Sequence, residues 1–149
     1  MKTPGLICLC LVVFATARGQ VHTLVFVCEH GSAKSVIAAT YFNKLAKEKN
    51  LSWQAVSRGT HPDPEISPKT KKLLLEDNLL DKSFVPKKLS QADVDTVEQV
   101  ILFCGLPQTL EGKGKTSHWE VNAVNDDFQK LRDDIVSRIM PLIDSLAKR

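Results

Sequence analysis

Short strand-like segments alternate along the chain with segments of helical periodicity, and this alternation constrains the fold more than any other feature. The first segment, His22–Cys28, is rich in Val, Leu and Phe, as is typical of a strand buried on both faces. Further strand-like segments lie at residues 51–56, 97–104 and 118–121. Strands separated by helices pair in parallel through right-handed crossovers. The sequence therefore predicts an α/β fold, a three-layer sandwich around a four-stranded parallel sheet.

Helical signals occupy the intervals between these strands and follow the last one. Apolar residues recur every three or four positions over residues 37–46, which indicates an amphipathic helix. Ser67 followed by Pro68 is typical of a helix start, and Asp77-Asn78 of its end. A short helix is expected to begin at Ser90. A final helix is expected from Asn125, with one apolar stripe formed by Phe128, Leu131, Ile135, Ile139, Leu142 and Leu146.

The first 20 residues have the pattern of a secretory signal peptide. Lys2 precedes an apolar run at residues 6–14, and small residues follow at 15–17. The competing interpretation is a membrane anchor, but the run is shorter than the roughly 20 apolar residues that a spanning helix needs. We expect a signal peptide at 1–20 and one domain at 21–149. The protein is then secreted or periplasmic, with no membrane association after cleavage.

Net charge and the spacing of histidines indicate which classes of ligand, nucleic acid or metal ion, the sequence favours. Cleavage would remove Lys2 and Arg18, which leaves 18 basic against 17 acidic residues. No basic stripe interleaved with aromatic residues is present, so nucleic acid is not an expected partner. His61 and His118 have no partners at metal-ligand spacing, and neither a metal site nor a cofactor is inferred. The sequence leaves the oligomeric state open.

Two cysteines, Cys28 and Cys104, would remain after cleavage. Both end predicted strands, at the sheet edge where ligands of parallel α/β folds bind. A disulfide is one interpretation in an oxidising compartment, and a small buried side chain is another. A domain of this size can fold without a covalent crosslink. Reactivity is therefore a further reason for these cysteines, and it is favoured for Cys28 over Cys104.

The segment from Cys28 to Ser35 has the composition of an oxyanion-binding loop. Small residues allow successive N–H groups to point inward, and the following helix directs its positive end to the same place. Such surroundings stabilise a thiolate. The candidate catalytic residues are Cys28, Lys34 and Ser35. The candidate substrate-binding residues are Glu29, His30, Gly31, Ser32 and Ala33.

The loop resembles that of the low-molecular-weight protein tyrosine phosphatases and the arsenate reductases that share their fold, whose signature is Cys-x5-Arg-Ser. Residues 56–60 (VSRGT) are similar to the Ser-Ala-Gly-Thr segment of that family. Residues 101–104 resemble its third strand, where some arsenate reductases carry a redox cysteine. His118-Trp119 and residues 132–135 are similar to the reductase C-terminal region. The resemblance covers nearly the whole mature chain.

The resemblance implies a mechanism in which the Cys28 thiolate attacks the phosphorus or arsenic of a bound oxyanion. In a phosphatase an aspartic acid then protonates the leaving oxygen and water releases the product. In a reductase a second thiol attacks instead, and Cys104 is the candidate resolving thiol. The expected partner is a phosphate-like or arsenate oxyanion.

Three departures from the family pattern affect this mechanism. Lys34 replaces the arginine that grips two oxygens, although Arg58 is a second source of a guanidinium. Gly31 stands where phosphatases commonly carry asparagine. The Asp-Pro pair expected after the tryptophan is absent. Candidate general acids are Asp126 and Asp127, which are otherwise helix N-terminal acids, and Glu29 or His30.

Three functions therefore remain open. The first is a cysteine-dependent phosphatase-like or arsenate reductase-like protein with weak activity. The second is a non-catalytic oxyanion-binding pseudophosphatase, because the lysine and the missing acid reduce turnover. The third is a thiol-redox protein that uses Cys28 and Cys104.

Overall fold

A four-stranded parallel sheet forms the middle layer of the structure, a computed structural model that describes residues 19–121 and 127–148. The strands are β1 (His22–Cys28), β2 (Trp53–Gly59), β3 (Gln99–Leu102) and β4 (Thr116–His118), in the order β2-β1-β3-β4. The helices are α1 (Lys34–Glu48), α2 (Pro68–Glu76), α3 (Gln91–Thr96) and α4 (Phe128–Leu146). The predicted α/β sandwich around a four-stranded parallel sheet is confirmed.

Strand β1 is the centre of the core and is buried on both faces. Leu24 and Phe26 point into a large cluster with α1, α2 and α4. Val25 and Val27 point into a smaller cluster that includes Val94 of α3. All four β1 side chains are fully buried, which explains why this strand has no polar alternation. Cys28 follows the same alternation and lies on the α1 and α4 side of the sheet.

The fourth strand lies two residues earlier than the sequence indicates. It covers Thr116–His118 rather than 118–121. The Trp119 N–H still donates to the Leu102 carbonyl (2.8 Å), but the chain leaves the sheet there. The indole packs against the rings of Phe26 and Phe103, with centroids 5.7 and 6.2 Å away. Burial of this large aromatic side chain ends the strand, and periodicity alone does not reveal it.

The predicted starts of α2 and α3 are confirmed by their caps. Ser67 Oγ accepts from the Thr70 N–H (3.2 Å), with Pro68 as the first helical residue. Ser90 and Asp93 form a reciprocal capping box at α3. No helix in the described parts of the chain is both long and apolar enough to cross a membrane. The predicted signal peptide falls on residues 1–18, which lie outside the described residues, and on 19–20.

One ionic network joins three helices, and we expect it to make stability depend on pH. Asp77, at the end of α2, accepts from the Tyr41 hydroxyl of α1 and from Arg132 Nη1 of α4 (3.0 Å). The Tyr41 hydrogen bond, aided by Arg132, lowers the pKa of Asp77. Burial, together with Asp77, raises the pKa of Tyr41 to about 12.

Asp77→Asn is expected to lower the free energy of unfolding by about 1–3 kcal/mol at pH 7. A carboxyl whose pKa is lowered on folding stabilises the protein above its unfolded pKa, and this stabilisation is lost as the pH falls through the folded value. Urea unfolding between pH 7 and pH 2 should therefore show a flatter acid dependence for Asp77→Asn than for the parent. Glu65→Gln, which changes an exposed carboxylate, is the control. An unchanged acid dependence in Asp77→Asn would contradict the assignment.

Candidate active site

The chain segment that follows β2 forms backbone hydrogen bonds to the loop between β1 and α1. Four of its carbonyl groups accept backbone hydrogen bonds of 2.7–3.1 Å from that segment. The pairs, written donor to acceptor, are Thr60 to Cys28, His61 to Glu29, Asp63 to His30 and Ser67 to Ser32. Because these carbonyls point away from the site, the N–H groups of the same peptides point towards it.

The N–H groups of the loop find no acceptor in the part of the chain that the structure describes. Within residues 19–121 and 127–148, the backbone amides of residues 29–35 donate no hydrogen bond. Ala33 is the N-cap of α1 and supplies no side-chain cap, and the first turn of α1 carries no acidic residue. Within the described residues, the positive end of this 15-residue helix therefore has neither a side-chain cap nor an acidic first turn. An anion is the ligand that this arrangement suits.

The Cys28 sulfur lies at the bottom of the loop in a chain of hydroxyl groups. Ser57 Oγ of β2 donates to Ser35 Oγ (2.9 Å), and Ser35 Oγ is 3.0 Å from Cys28 Sγ. All three side chains are buried. Because Ser35 accepts from Ser57, its own hydroxyl hydrogen is free to point at the sulfur. Ser57 was not among the predicted site residues. The feature of the sequence that could have identified it is its place in the VSRGT segment, which resembles a segment of the family.

Two glycines allow the loop to pack directly against the end of β2. Gly31 has a φ of +60°, a conformation that glycine adopts at little cost. A Cβ on Gly31 would lie 3.0 Å from the Gly59 nitrogen, and a Cβ on Gly59 would lie 2.8 Å from the Gly31 nitrogen. The close contact of these two backbones determines where the loop amides sit.

A cavity of about 340 Å³ opens above the sulfur. It brings together most of the predicted site residues. Its lining residues are Cys28, Glu29, His30, Ser32, Ala33, Lys34, Ser67, Phe103, Cys104 and Phe128. Ser35 lies behind the sulfur, and Gly31 is buried against Gly59. A larger cavity of about 430 Å³ lies between α1 and residues 79–87 and lacks Cys28.

Cys104 lies in the same cavity as Cys28, and both thiols are free. Burial raises the pKa of Cys104, and the charge of Cys28 raises it further, against a hydrogen bond from Thr60. These surroundings favour the neutral form of the Cys104 thiol. The structure places this candidate resolving thiol in the cavity that Cys28 lines.

Two further candidates, Arg58 and Asp127, have partners of their own. The Arg58 guanidinium is bound to Asp93, with N–O distances of 2.8 and 2.9 Å. Its register partner in β1 is Val27, which faces the smaller cluster, so Arg58 points away from Cys28. Asp127 caps α4 by accepting from the Lys130 N–H (2.8 Å), and Asp126 lies outside the described residues.

The mouth of the cavity carries a histidine between two carboxylates. His30 Nδ1 is 3.4 Å from Asp63 Oδ1, and His30 Nε2 is 3.9 Å from Glu29 Oε2. Ser32 Oγ donates to Asp63 Oδ2 (2.6 Å). Sequence reasoning missed Asp63, because only the fold brings the segment after β2 beside the loop. Among the described residues no group of three or more His, Cys, Asp or Glu side chains is arranged to hold a metal ion.

Comparison with known proteins agrees with this geometry. YfkJ from Bacillus subtilis has a TM-score of 0.76 at 18% identity, covering 88% of this chain and 98% of that one. An arsenate reductase from Archaeoglobus fulgidus has a TM-score of 0.66 at 26% identity, covering 81% and 98%. The thioredoxin-dependent arsenate reductase Cg_ArsC1' from Corynebacterium glutamicum has a TM-score of 0.71 at 25% identity, covering 87% and 64%.

No curated protein matches the sequence significantly. The family model described as low molecular weight phosphotyrosine protein phosphatase matches residues 23–113. This match includes the loop, β1 to β3 and both free cysteines. The chain therefore belongs to the low molecular weight phosphotyrosine protein phosphatase family, whose fold it shares with arsenate reductases.

Proposed function

We propose that this protein binds a phosphate-like oxyanion in the loop of residues 28–35 and hydrolyses phosphate monoesters slowly through Cys28. One observation carries the proposal: the loop carbonyls are bonded to the segment after β2 while the amides of residues 29–35 have no acceptor in the described chain. A bound oxyanion would satisfy those amides and the N-terminus of α1 together. Family membership supports the same chemistry.

The proposed reaction has two steps. The Cys28 thiolate attacks phosphorus, the bond between phosphorus and the ester oxygen breaks, and the leaving oxygen takes a proton. Water then attacks the phosphocysteine, and phosphate leaves as the thiolate forms again. Ser35 stabilises the sulfur when it carries the charge, and Lys34 neutralises one phosphate oxygen. The loop amides hold the other oxygens in both steps.

The test measures oxyanion binding and turnover separately. Phosphate should slow the alkylation of Cys28 by iodoacetamide. Mass spectrometry of the peptide that contains Cys28 measures the rate of alkylation. Cys104→Ser removes the second thiol and assigns the signal. The same protein should release p-nitrophenol from p-nitrophenyl phosphate. Protection without turnover would favour the pseudophosphatase, and alkylation that phosphate does not affect would contradict oxyanion binding altogether.

Lys34→Arg is expected to raise kcat/KM for p-nitrophenyl phosphate by about 10-fold, because a planar guanidinium can bind two phosphate oxygens where an ammonium offers one point charge. Lys34→Gln should lower kcat/KM by a similar factor. Steady-state kinetics at fixed ionic strength provide the measurement. Lys44→Arg, at a surface ion pair with Glu48, is the control. Equal rates in the Lys34→Arg protein and the parent would show that Lys34 does not contact the phosphate.

A second candidate function is arsenate reduction or another thiol-redox reaction, favoured by Cys104 in the cavity of Cys28. Arsenate bound to the Cys28 sulfur would leave as arsenite when Cys104 attacks that sulfur, so that two thiols are oxidised to one disulfide. A mass lower by two hydrogens after reaction with arsenate, absent in Cys104→Ser, would support this function. Unchanged thiols and no arsenite would exclude it.

We further propose that residues 21–149 act outside the cytoplasm after removal of residues 1–20. The apolar run at 6–14 and the small residues at 15–17 support this location. N-terminal sequencing of protein recovered from the medium or periplasm tests it. An intact Met1 would contradict the proposal.

A further inference from the structure

The reaction proposed above needs a group that protonates the leaving oxygen, and the Asp-Pro pair that the family carries after the tryptophan does not follow Trp119 in this sequence. The described titratable groups that line the cavity are Cys28, Glu29, His30, Lys34 and Cys104. Cys28 is the nucleophile, and Lys34 faces the phosphate as a cation. Glu29 is exposed, and a carboxylate repels a phosphate dianion. Burial raises the pKa of Cys104, which makes this thiol a poor proton donor.

We propose that His30 is the proton donor and acceptor of this reaction, oriented by Asp63. The inference rests on the proposed phosphatase activity. Imidazole is suited to the role because it can donate a proton in one step and accept one in the next near neutral pH.

The position of His30 fits a leaving group that departs in line with the attacking sulfur. Cys28 is buried at the bottom of the cavity with 7% of its surface exposed, and the side chain of His30 is 59% exposed at the mouth. In phosphoryl transfer the attacking and leaving atoms lie on opposite sides of phosphorus. A leaving oxygen therefore emerges at the mouth, on the side where His30 lies.

The contacts of Asp63 orient the imidazole. Its Oδ1 faces His30 Nδ1 at 3.4 Å, while its Oδ2 accepts from Ser32 Oγ at 2.6 Å. Its backbone N–H donates to the His30 carbonyl at 2.9 Å. Asp63 is therefore attached to the loop at three points. Because Nδ1 faces Asp63, Nε2 is the ring nitrogen left for substrate, and Glu29 at 3.9 Å is beyond hydrogen-bond distance. A base oriented by a carboxylate is a recurrent catalytic arrangement.

His30 gives up one proton in the first step and regains one in the second. In the first step the bond from sulfur to phosphorus forms, the bond from phosphorus to oxygen breaks, and the proton on Nε2 passes to the leaving oxygen. In the second step a water molecule attacks phosphorus and gives its proton back to Nε2, and the bond from sulfur to phosphorus breaks. Asp63 stays a carboxylate throughout and acts as a positioning residue.

The experiment compares two substrates that differ in their need for a proton. Phenyl phosphate has a poor leaving group, and p-nitrophenyl phosphate has a good one. His30→Gln should lower kcat/KM, which reports only the step that releases the leaving group, by about 100-fold for phenyl phosphate, the lower end of what a general acid contributes, and by less than about 5-fold for p-nitrophenyl phosphate. The ratio of the two rates does not depend on the fraction of folded enzyme. His61→Gln, with the imidazole beside Thr60, is the matched control and should leave the ratio unchanged.

The pH dependence gives an independent readout. The parent should lose activity towards phenyl phosphate on the alkaline side of its pH profile, and His30→Gln should lack this alkaline limb. The charged groups that face His30 are Glu29 of its own loop and Asp63 of the segment after β2, and Lys34 lines the same cavity. Asp63→Asn should move the alkaline limb to lower pH, because the substitution removes a negative charge that faces His30.

The outcomes separate this inference from the proposed function. Turnover that needs Cys28 but shows the parent's substrate ratio and alkaline limb in His30→Gln would overturn the role of His30 alone. Equal losses on both substrates would also overturn it, because they indicate a structural role. Absence of phosphatase turnover in the parent would overturn the proposed function, and the role of His30 with it.

Discussion

Replacement of Cys28 by serine is expected to lower phosphate monoester turnover by at least about 10⁴-fold while phosphate binding persists. A serine hydroxyl is not ionised near neutral pH and is a weak nucleophile without an adjacent base. The oxyanion, in contrast, is held by the amides of residues 29–35 and the N-terminus of α1, which the substitution does not touch. Steady-state kinetics and isothermal titration with phosphate measure the two properties.

Cys104→Ser is the matched control for this prediction. It removes a second free thiol from the same cavity, and for hydrolysis we expect a change of less than about 3-fold, because neither hydrolytic step uses this thiol and serine has nearly the same size. If Cys28→Ser retains turnover, or if both variants lose it equally, Cys28 is not the nucleophile of a hydrolytic reaction. Loss of phosphate binding in Cys28→Ser alone would show that the thiolate, not the amides, holds the anion.

Gly59→Ala is expected to lower the free energy of unfolding by about 1–3 kcal/mol, the usual cost of adding a methyl group to a tightly packed place. The new Cβ would lie 2.8 Å from the Gly31 nitrogen and 3.0 Å from the His30 carbonyl carbon. Both are backbone atoms of the oxyanion loop, so the loop must move. Because a displacement of about 1 Å can cost 100-fold in rate, we expect at least that loss in kcat/KM.

Gly105→Ala is the control, because among the described residues no atom outside its two chain neighbours lies within 4 Å of the Cβ that it would add. Its unfolding midpoint and kinetics should match the parent. Urea unfolding and p-nitrophenyl phosphate kinetics of both variants provide the comparison. A Gly59→Ala protein with parental stability and activity would show that the loop tolerates displacement, and that its close contact with β2 does not determine the position of the amides.

The sheet was predictable because its signals are local. His22–Cys28 is apolar throughout, and a strand with that composition must be buried on both faces. The starts of α2 and α3 were predictable because Ser67 and Ser90 cap their own helices. The position of β4 was wrong because Trp119 leaves the sheet to pack against two distant rings, and that contact has no signature in nearby residues.

The amino-acid order by itself determined the loop: a cysteine at the end of a buried strand, small residues after it, and a helix start, all within residues 28–35. Only the tertiary structure decided what surrounds that loop. Ser57 reaches Ser35, Asp63 reaches His30, and Cys104 enters the cavity of Cys28. The physical reason is the distance along the sequence over which each interaction acts. Strand and helix propensities arise from neighbouring residues, whereas parallel pairing of β1 with β2 and β3 brings together the carboxyl ends of strands that are distant in sequence.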